Sequence, residues 1–240
     1  AALVINMRAL DAKGNTTTAT AVNRTCDTLP PTVTITAPAA SSWQNDDFVV
    51  SATVSDALSG VSGCEYRVVS NSVQTLGWTS YTCAAGPTVT VGAAANCNVQ
   101  GTDKCEVFLR ATDNVQNVST AVSRTFSIDW TAPNNVASVS AWDSSAKTVS
   151  LTSGNSYTYN GPTGPYFEWT APSDNPAGDN SGVHGYFVYF GTNSLADPTD
   201  FQLGTSFTNP TSLTAGTTYY LIIKTDDNAG NVSTGSGSPL

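Results

Sequence analysis

Three segments of this 240-residue chain align without gaps: RALDAKGN at 8–15, RATDNVQN at 110–117 and KTDDNAGN at 224–231. Each follows an alternating apolar run (Leu3-Ile5-Met7, Val107-Leu109, Leu221-Ile223), and each leads into a Thr/Ser-rich stretch. Alternation, a tight polar turn and a second extended stretch make a β-hairpin. The aligned aspartates Asp11, Asp113 and Asp227 recur at intervals of 102 and 114 residues. A period of roughly 100 residues is the length of a two-sheet antiparallel sandwich. The repeat therefore constrains the chain to an all-β architecture: tandem seven-strand antiparallel β-sandwiches with an N-terminal two-strand fragment.

Two further correspondences set the boundaries. After the hairpin, AVNRTCDTLPPTV at 21–33 matches AVSRTFSIDWTAPNNV at 121–136: a strand, an Asp, a Thr and a Pro. Proline lacks the amide that strand pairing needs, so it marks a stiff junction. Before the third strand, VSDALSGVSGCEYRV at 54–68 matches PSDNPAGDNSGVHGYFVYF at 172–190. The expected division is 1–29, the last two strands of a sandwich plus linker; 30–130, a disulfide-bearing sandwich; and 131–240, a second sandwich. Strands are expected near 32–37, 47–55, 64–70, 78–83, 87–92, 104–112 and 118–127. In the second sandwich they are expected near 136–142, 148–152, 165–170, 184–190, 205–208, 217–225 and 231–236. A chain that opens with two orphan strands reads as a window from a longer protein.

SDALSGV together with ATDNVQN resembles the bacterial Ig-like repeats of large surface proteins. FEWTAPSDNPAGDNSGVHGYFVYFGTN followed by LTAGTTYYLIIKTDDNAGN resembles a bacterial fibronectin type III domain. The resemblance covers nearly the whole chain. It implies an Ig-like sandwich followed by a fibronectin type III-like one, in a prokaryotic surface or extracellular filament protein.

Charged residues make up only 11% of the chain, against roughly 25% in soluble domains. The net charge of −9 disfavours phosphate backbones and anionic lipid as partners. No stretch is long and apolar enough for a transmembrane helix. Five cysteines without a CxxC pair, and one histidine, argue against zinc. Cys64, Cys83, Cys97 and Cys105 fall within one expected sandwich and read as disulfides of an oxidising, extracellular compartment. Four cysteines allow three pairings; the expected hairpin favours Cys64–Cys83, and the short loop between them Cys97–Cys105. Cys26 aligns with Phe126, an inward position, and its partner lies either in the rest of its own sandwich or in another subunit.

No Ser-His or metalloprotease signature occurs, and His184 opens an expected strand, so no catalytic residue is assigned and the chain reads as non-enzymatic. The turn aspartates carry the sharper possibility. In such a sandwich the loop between the second and third strands and the turn between the last two share a pole with the entering linker. Asp27, Asp56 and Asp113 could converge there in the first sandwich. Asp129, Asp174, Asp179, Asp226 and Asp227 form the matching set in the second. Calcium takes six to eight oxygens, and Asn114, Asn117, Asn175, Asn180, Asn228 and Asn231 could supply some. The other reading is that Asp and Asn cap turns by bonding backbone amides. Asn15, Asn23, Asn117 and Asn231 head glycosylation sequons, three of them inside the repeated turn. Trp169 is expected in the core; Trp43, Trp78, Trp130 and Trp142 either pack or stack on sugar rings.

The functional expectation is a structural or interaction segment of an extracellular stalk, adhesin or filament. Its partners would be neighbouring repeats or further copies, with possible strand donation by residues 1–26, or a glycan or host-surface ligand. The alternative is an accessory spacer or carbohydrate-binding region of a secreted polysaccharide-degrading enzyme.

Overall fold

Period-2 alternation dictates the strands. The computed structural model describes residues 2–19, 22–83, 88–156 and 164–239. Packing groups the chain into two compact units: Ala1–Ala40, Val49–Val91 and Glu106–Arg124 in one, and Ser41–Phe48, Gly92–Cys105 and Thr125–Leu240 in the other.

The first unit begins with β1 (Ala2–Ile5), β2 (Arg8–Leu10), β3 (Thr16–Thr18) and β4 (Val22–Thr25). They form a two-stranded ribbon in which β1 pairs with β4 and β2 with β3. Val4, Ile5, Met7 and Leu10 of this ribbon are exposed. Cys26, expected to point inward, is instead exposed and unpaired. It lies one residue past β4, whose hydrogen-bonded neighbour among the described strands is β1.

Then follow β5 (Thr32–Ala37), β6 (Trp43–Gln44), β7 (Phe48–Ser55), β8 (Val61–Ser70), β9 (Val73–Tyr81) and β10 (Thr88–Val91). A single helical turn, α1 (Ala93–Asn96), precedes β11 (Gly101–Asp113) and β12 (Val122–Ile128). They build two sheets, ordered β10-β7-β5 and β6-β12-β11-β8-β9. In β5, Val33 and Ile35 are buried while Thr32 and Thr34 are exposed. In β11 every second residue from Cys105 to Asp113 is buried, so the inward register of an apolar strand ends on a carboxylate. Neither β6 nor α1 was expected; both are too short to impose a period on the sequence. Cys64 is bonded to Cys83, and Cys97 to Cys105.

The second unit continues with β13 (Val139–Trp142), β14 (Ser150–Leu151), β15 (Tyr166–Trp169) and β16 (Val183–Gly191). After these come β17 (Asp200–Gln202), β18 (Ser206–Thr208), β19 (Tyr220–Asp227) and β20 (Ser236–Pro239). The sheets run β14-β13-β15-β18 and β17-β16-β19-β20. Their core holds Ala141, Phe167, Trp169, Tyr186, Val188, Leu221 and Ile223. Trp169 meets Tyr186 edge-on, with ring centroids 5.2 Å apart. β17 was not expected, and the last strand starts only at Ser236, the end of the expected 231–236, where Val232 makes an isolated bridge to Asp226.

Phe167 is the hub of this core: it is 1% exposed and its ring centroid lies 5.2 Å from Phe190 and 6.3 Å from Phe207. Phe167→Ala should cost about 3–5 kcal/mol, measured as a lowered urea midpoint at unchanged slope.

Candidate functional site

The site grows from the repeated turn. In all three copies the aspartate carboxylate accepts two backbone N–H groups and the side-chain amide of the Asn four residues on. Asp11 Oδ1 takes Lys13 and Asn15 N–H, both at 2.8 Å, and Oδ2 takes Asn15 Nδ2 at 2.7 Å. Asp113 does the same with Val115 (2.9 Å), Asn117 (2.8 Å) and Asn117 Nδ2 (2.7 Å). Asp227 does so with Ala229 (2.9 Å), Asn231 (2.8 Å) and Asn231 Nδ2 (2.8 Å). The residue before the Asn is left-handed each time, at Gly14, Gln116 and Gly230. Glycine suits that conformation; Gln116 adopts it against its Cβ.

Around two of these turns an identical network closes. Asn117 Nδ2 also donates to the carbonyl of Asp27 at 3.3 Å, and Asn231 Nδ2 to that of Asp129 at 2.8 Å. The linker carboxylates in turn accept from the loop before the third strand. Asp27 Oδ2 takes Ser59 N–H at 3.0 Å, and Asp129 Oδ2 takes Ser181 N–H at 2.8 Å. The loop aspartates cap the next residue: Asp56 Oδ1 takes Gly60 N–H at 2.7 Å and Asp174 Oδ2 takes Gly182 N–H at 2.6 Å. Asn114 and Asn228 close the ring by donating Nδ2 to the carbonyls of Ser59 and Ser181. The sequence motif Ser-Gly-Val was visible at both places; its role as the amide cradle of the linker carboxylate was not foreseen.

Six of the eight expected residues thus come together. Asp27, Asp56 and Asp113 place carboxylate oxygens within 4.8 Å of one another, as do Asp129, Asp174 and Asp227. Asp226 lies on the opposite face of β19 from Asp227 and pairs with His184 Nδ1 at 2.9 Å. The parity of Leu221, Ile223 and Asp227 along the strand was the signal that separates the two. Asp179 belongs to an insertion in its loop and binds Thr102, through N–H at 2.9 Å and Oγ1 at 2.7 Å. The six asparagines named as oxygen ligands all donate their amide N–H: Asn175, for example, to Ala132 O and Asn180 to Pro176 O. The Asn23 side chain lies outside the described residues.

The two nodes differ in burial. Asp129, Asp174 and Asp227 are all buried, whereas Asp27 and Asp56 are partly exposed. The Ser59 hydroxyl bond and neighbouring amides hold Asp27 below the ordinary carboxylate range. For Asp113 burial pulls upward, but the Asn117 and Val115 bonds outweigh it and the net shift is down. Burial pushes Asp174 and Asp227 up, and the Asp129 charge adds to both.

The strand orders, the buried faces and the doubled pole define tandem Ig-like and fibronectin type III-like β-sandwiches. Residues 31–85 match the bacterial Ig domain family. No curated protein matches the chain. Among solved structures it is similar to the fibronectin(III)-like modules of Clostridium thermocellum CbhA, at 15% identity over 86% of this chain and 91% of that one, with a TM-score of 0.49. It is also similar to a two-domain fibronectin type III segment of chicken tenascin, at 14% identity over 88% and 98%, TM-score 0.31. A third similarity is to the β-glucuronidase of Parabacteroides merdae, at 10% identity over 88% of this chain and 25% of that one, TM-score 0.27.

Asn231→Ala strips the side-chain amide that Asp227 Oδ2 accepts and the donor to the Asp129 carbonyl. It should cost about 1–3 kcal/mol of unfolding free energy. Asn15→Ala, in the exposed ribbon, should cost less than about 0.5 kcal/mol. Equal effects in chemical denaturation would contradict this ranking.

Proposed function

We propose that this chain is a segment of an extracellular, prokaryotic stalk, adhesin or filament, non-catalytic, in which each acidic node takes a calcium ion. The observation that carries the reading is the node itself, built twice from the same three elements: linker, loop and last hairpin turn. A node that ties the linker into the sandwich suits a module whose task is to hold a defined posture. Both disulfides suit an oxidising compartment. Among the described residues no helix is long and apolar enough to cross a membrane.

Calcium fits the donor set on chemistry and distance. All contributing atoms are hard carboxylate oxygens, and two ligands of one calcium ion lie at most about 5 Å apart. Asp129 Oδ2 and Asp227 Oδ2 each accept one N–H, which leaves a second lone pair on each. Three carboxylates gathered without a salt-bridge partner among the described residues repel one another, and a dication would cancel that repulsion. Calcium should raise the melting temperature; at about 100 times the dissociation constant the gain is about 2.7 kcal/mol. Asp56→Asn and Asp174→Asn should each remove one node's share. Identical calorimetric traces in calcium and in EDTA would sink the calcium reading and leave turn capping as the nodes' whole role.

The ribbon of residues 1–26 fits a pairing role. It carries exposed Val4, Ile5, Met7 and Leu10, and its Asp11–Asn15 turn makes the same internal bonds as the two completed nodes. In this reading it docks on a neighbouring repeat or copy. Deleting residues 1–26 should then abolish any self-association seen by sedimentation velocity while residues 30–240 stay folded; association that persists contradicts strand donation.

A further inference from the structure

The outward face of the β14-β13-β15-β18 sheet carries two large aromatics that its core does not use. Ala141, Phe167 and Trp169 point inward. Strand alternation therefore sends Trp142 and Tyr166 to the other side, where they are a directly opposed cross-strand pair. Their ring centroids are 6.0 Å apart with planes inclined by 35°, so the two rings are adjacent on that face. Both are only partly buried. Ser140, Ser150, Ser206 and Thr208 on the same sheet are exposed, which leaves the platform ringed by hydroxyls rather than by further apolar groups. Two adjacent aromatics on a solvent-facing sheet surface are costly to keep wet without a use.

The polar groups at the platform converge on it. Lys147 Nζ sits 4.8 Å from the Trp142 ring centroid and 5.7 Å from that of Tyr166. Glu168 accepts from Lys147 Nζ at 2.7 Å and from the Tyr166 hydroxyl at 2.5 Å. The side chains of Lys147 and Glu168 are 41% and 35% exposed, so both can exchange partners with a ligand. Their charges cancel each other, on a chain of net charge −9. A polyanion is disfavoured there, and so is an acidic protein surface. A ligand matched to this chemistry has a flat, weakly apolar face bearing C–H groups and a rim of uncharged hydroxyls.

We infer that Trp142 and Tyr166 form a binding platform for the pyranose rings of a neutral polysaccharide. The sugar's C–H face stacks on the rings and displaces the Lys147 ammonium from above Trp142. Glu168 then accepts from a sugar hydroxyl and Lys147 donates to one. This site is independent of the acidic nodes, so its failure leaves the calcium reading untouched.

The test is isothermal titration of the full chain with hexaoses of β-1,4-linked glucose, xylose, mannose and N-acetylglucosamine, with polygalacturonate as the anionic control. At least one neutral hexaose should bind. Trp142→Ala and Tyr166→Ala should weaken it by about tenfold or more, the equivalent of about 1.4 kcal/mol. Ser140→Arg places a long side chain on the outward face without touching the core, and should weaken binding with an unchanged melting curve. The proposal is overturned if none of the four hexaoses binds, if only polygalacturonate binds, or if binding survives Ser140→Arg and a folded Trp142→Ala variant.

Discussion

A carboxylate that accepts two backbone amides and the side-chain amide of the Asn four residues later fixes the turn between the last two strands. Everything else at the pole depends on that geometry. The Asn amide has two hydrogens. One satisfies the carboxylate, and the other is left pointing at the incoming linker, where it meets the carbonyl of Asp27 or Asp129. The turn is therefore both a hairpin closure and the socket for the chain that enters the sandwich. Buried backbone carbonyls need a partner, and here the partner belongs to the far end of the same fold. The linker aspartate then returns the bond by taking an amide from the third-strand loop. Three segments distant in sequence are locked by groups that each residue type supplies naturally.

Much of this was legible because the pole is written in polar residues at fixed offsets. D-x-x-x-N after an alternating strand is a turn with a mechanism, and three occurrences removed most of the ambiguity. The inward register of Val107, Leu109 and Ala111 carries through to Asp113, and that of Leu221 and Ile223 to Asp227. The Asp226-Asp227 pair could be resolved by the same parity, which puts Asp226 on the outer face with His184. Asp179 could not be placed this way: it sits in an insertion, where no period operates. β6, β17 and α1 were illegible because two to four residues bury too little to leave a pattern. Cys26 misled for the opposite reason. Its alignment with Phe126 predicts an inward position, but Cys26 is exposed, one residue past a strand of a two-stranded ribbon.

The asparagines carry a similar lesson. Asn15, Asn117 and Asn231 head glycosylation sequons, yet in each the side-chain nitrogen that a glycan would occupy donates to the turn carboxylate. At Asn117 and Asn231 it also holds the linker. A residue type admits several readings in sequence; the hydrogen-bond ledger admits fewer. With both amide hydrogens of Asn117 and Asn231 engaged, a covalent modification there would break part of the pole.

Identical bonding does not make the two nodes energetically equal. Hydrogen bonds depress Asp27 and Asp113, so their stabilisation is present above the unfolded-state value and is lost as pH falls through the folded one. Burial raises Asp174 and Asp227. Their contribution has the reverse sign: it is fully present below the unfolded-state value and is lost as pH rises through the raised one. In the first node the hydrogen bonds to Asp27 and Asp113 outweigh desolvation, while in the second those to Asp174 and Asp227 only partly offset desolvation and the charge of Asp129. The difference traces to a few residues of loop. SDALSG leaves Asp56 half open to water, whereas the longer SDNPAGDNSG insertion accompanies the burial of Asp174. The same motif, set at two depths, thus leaves Asp27 and Asp113 favouring the charged form and Asp174 and Asp227 favouring the neutral one.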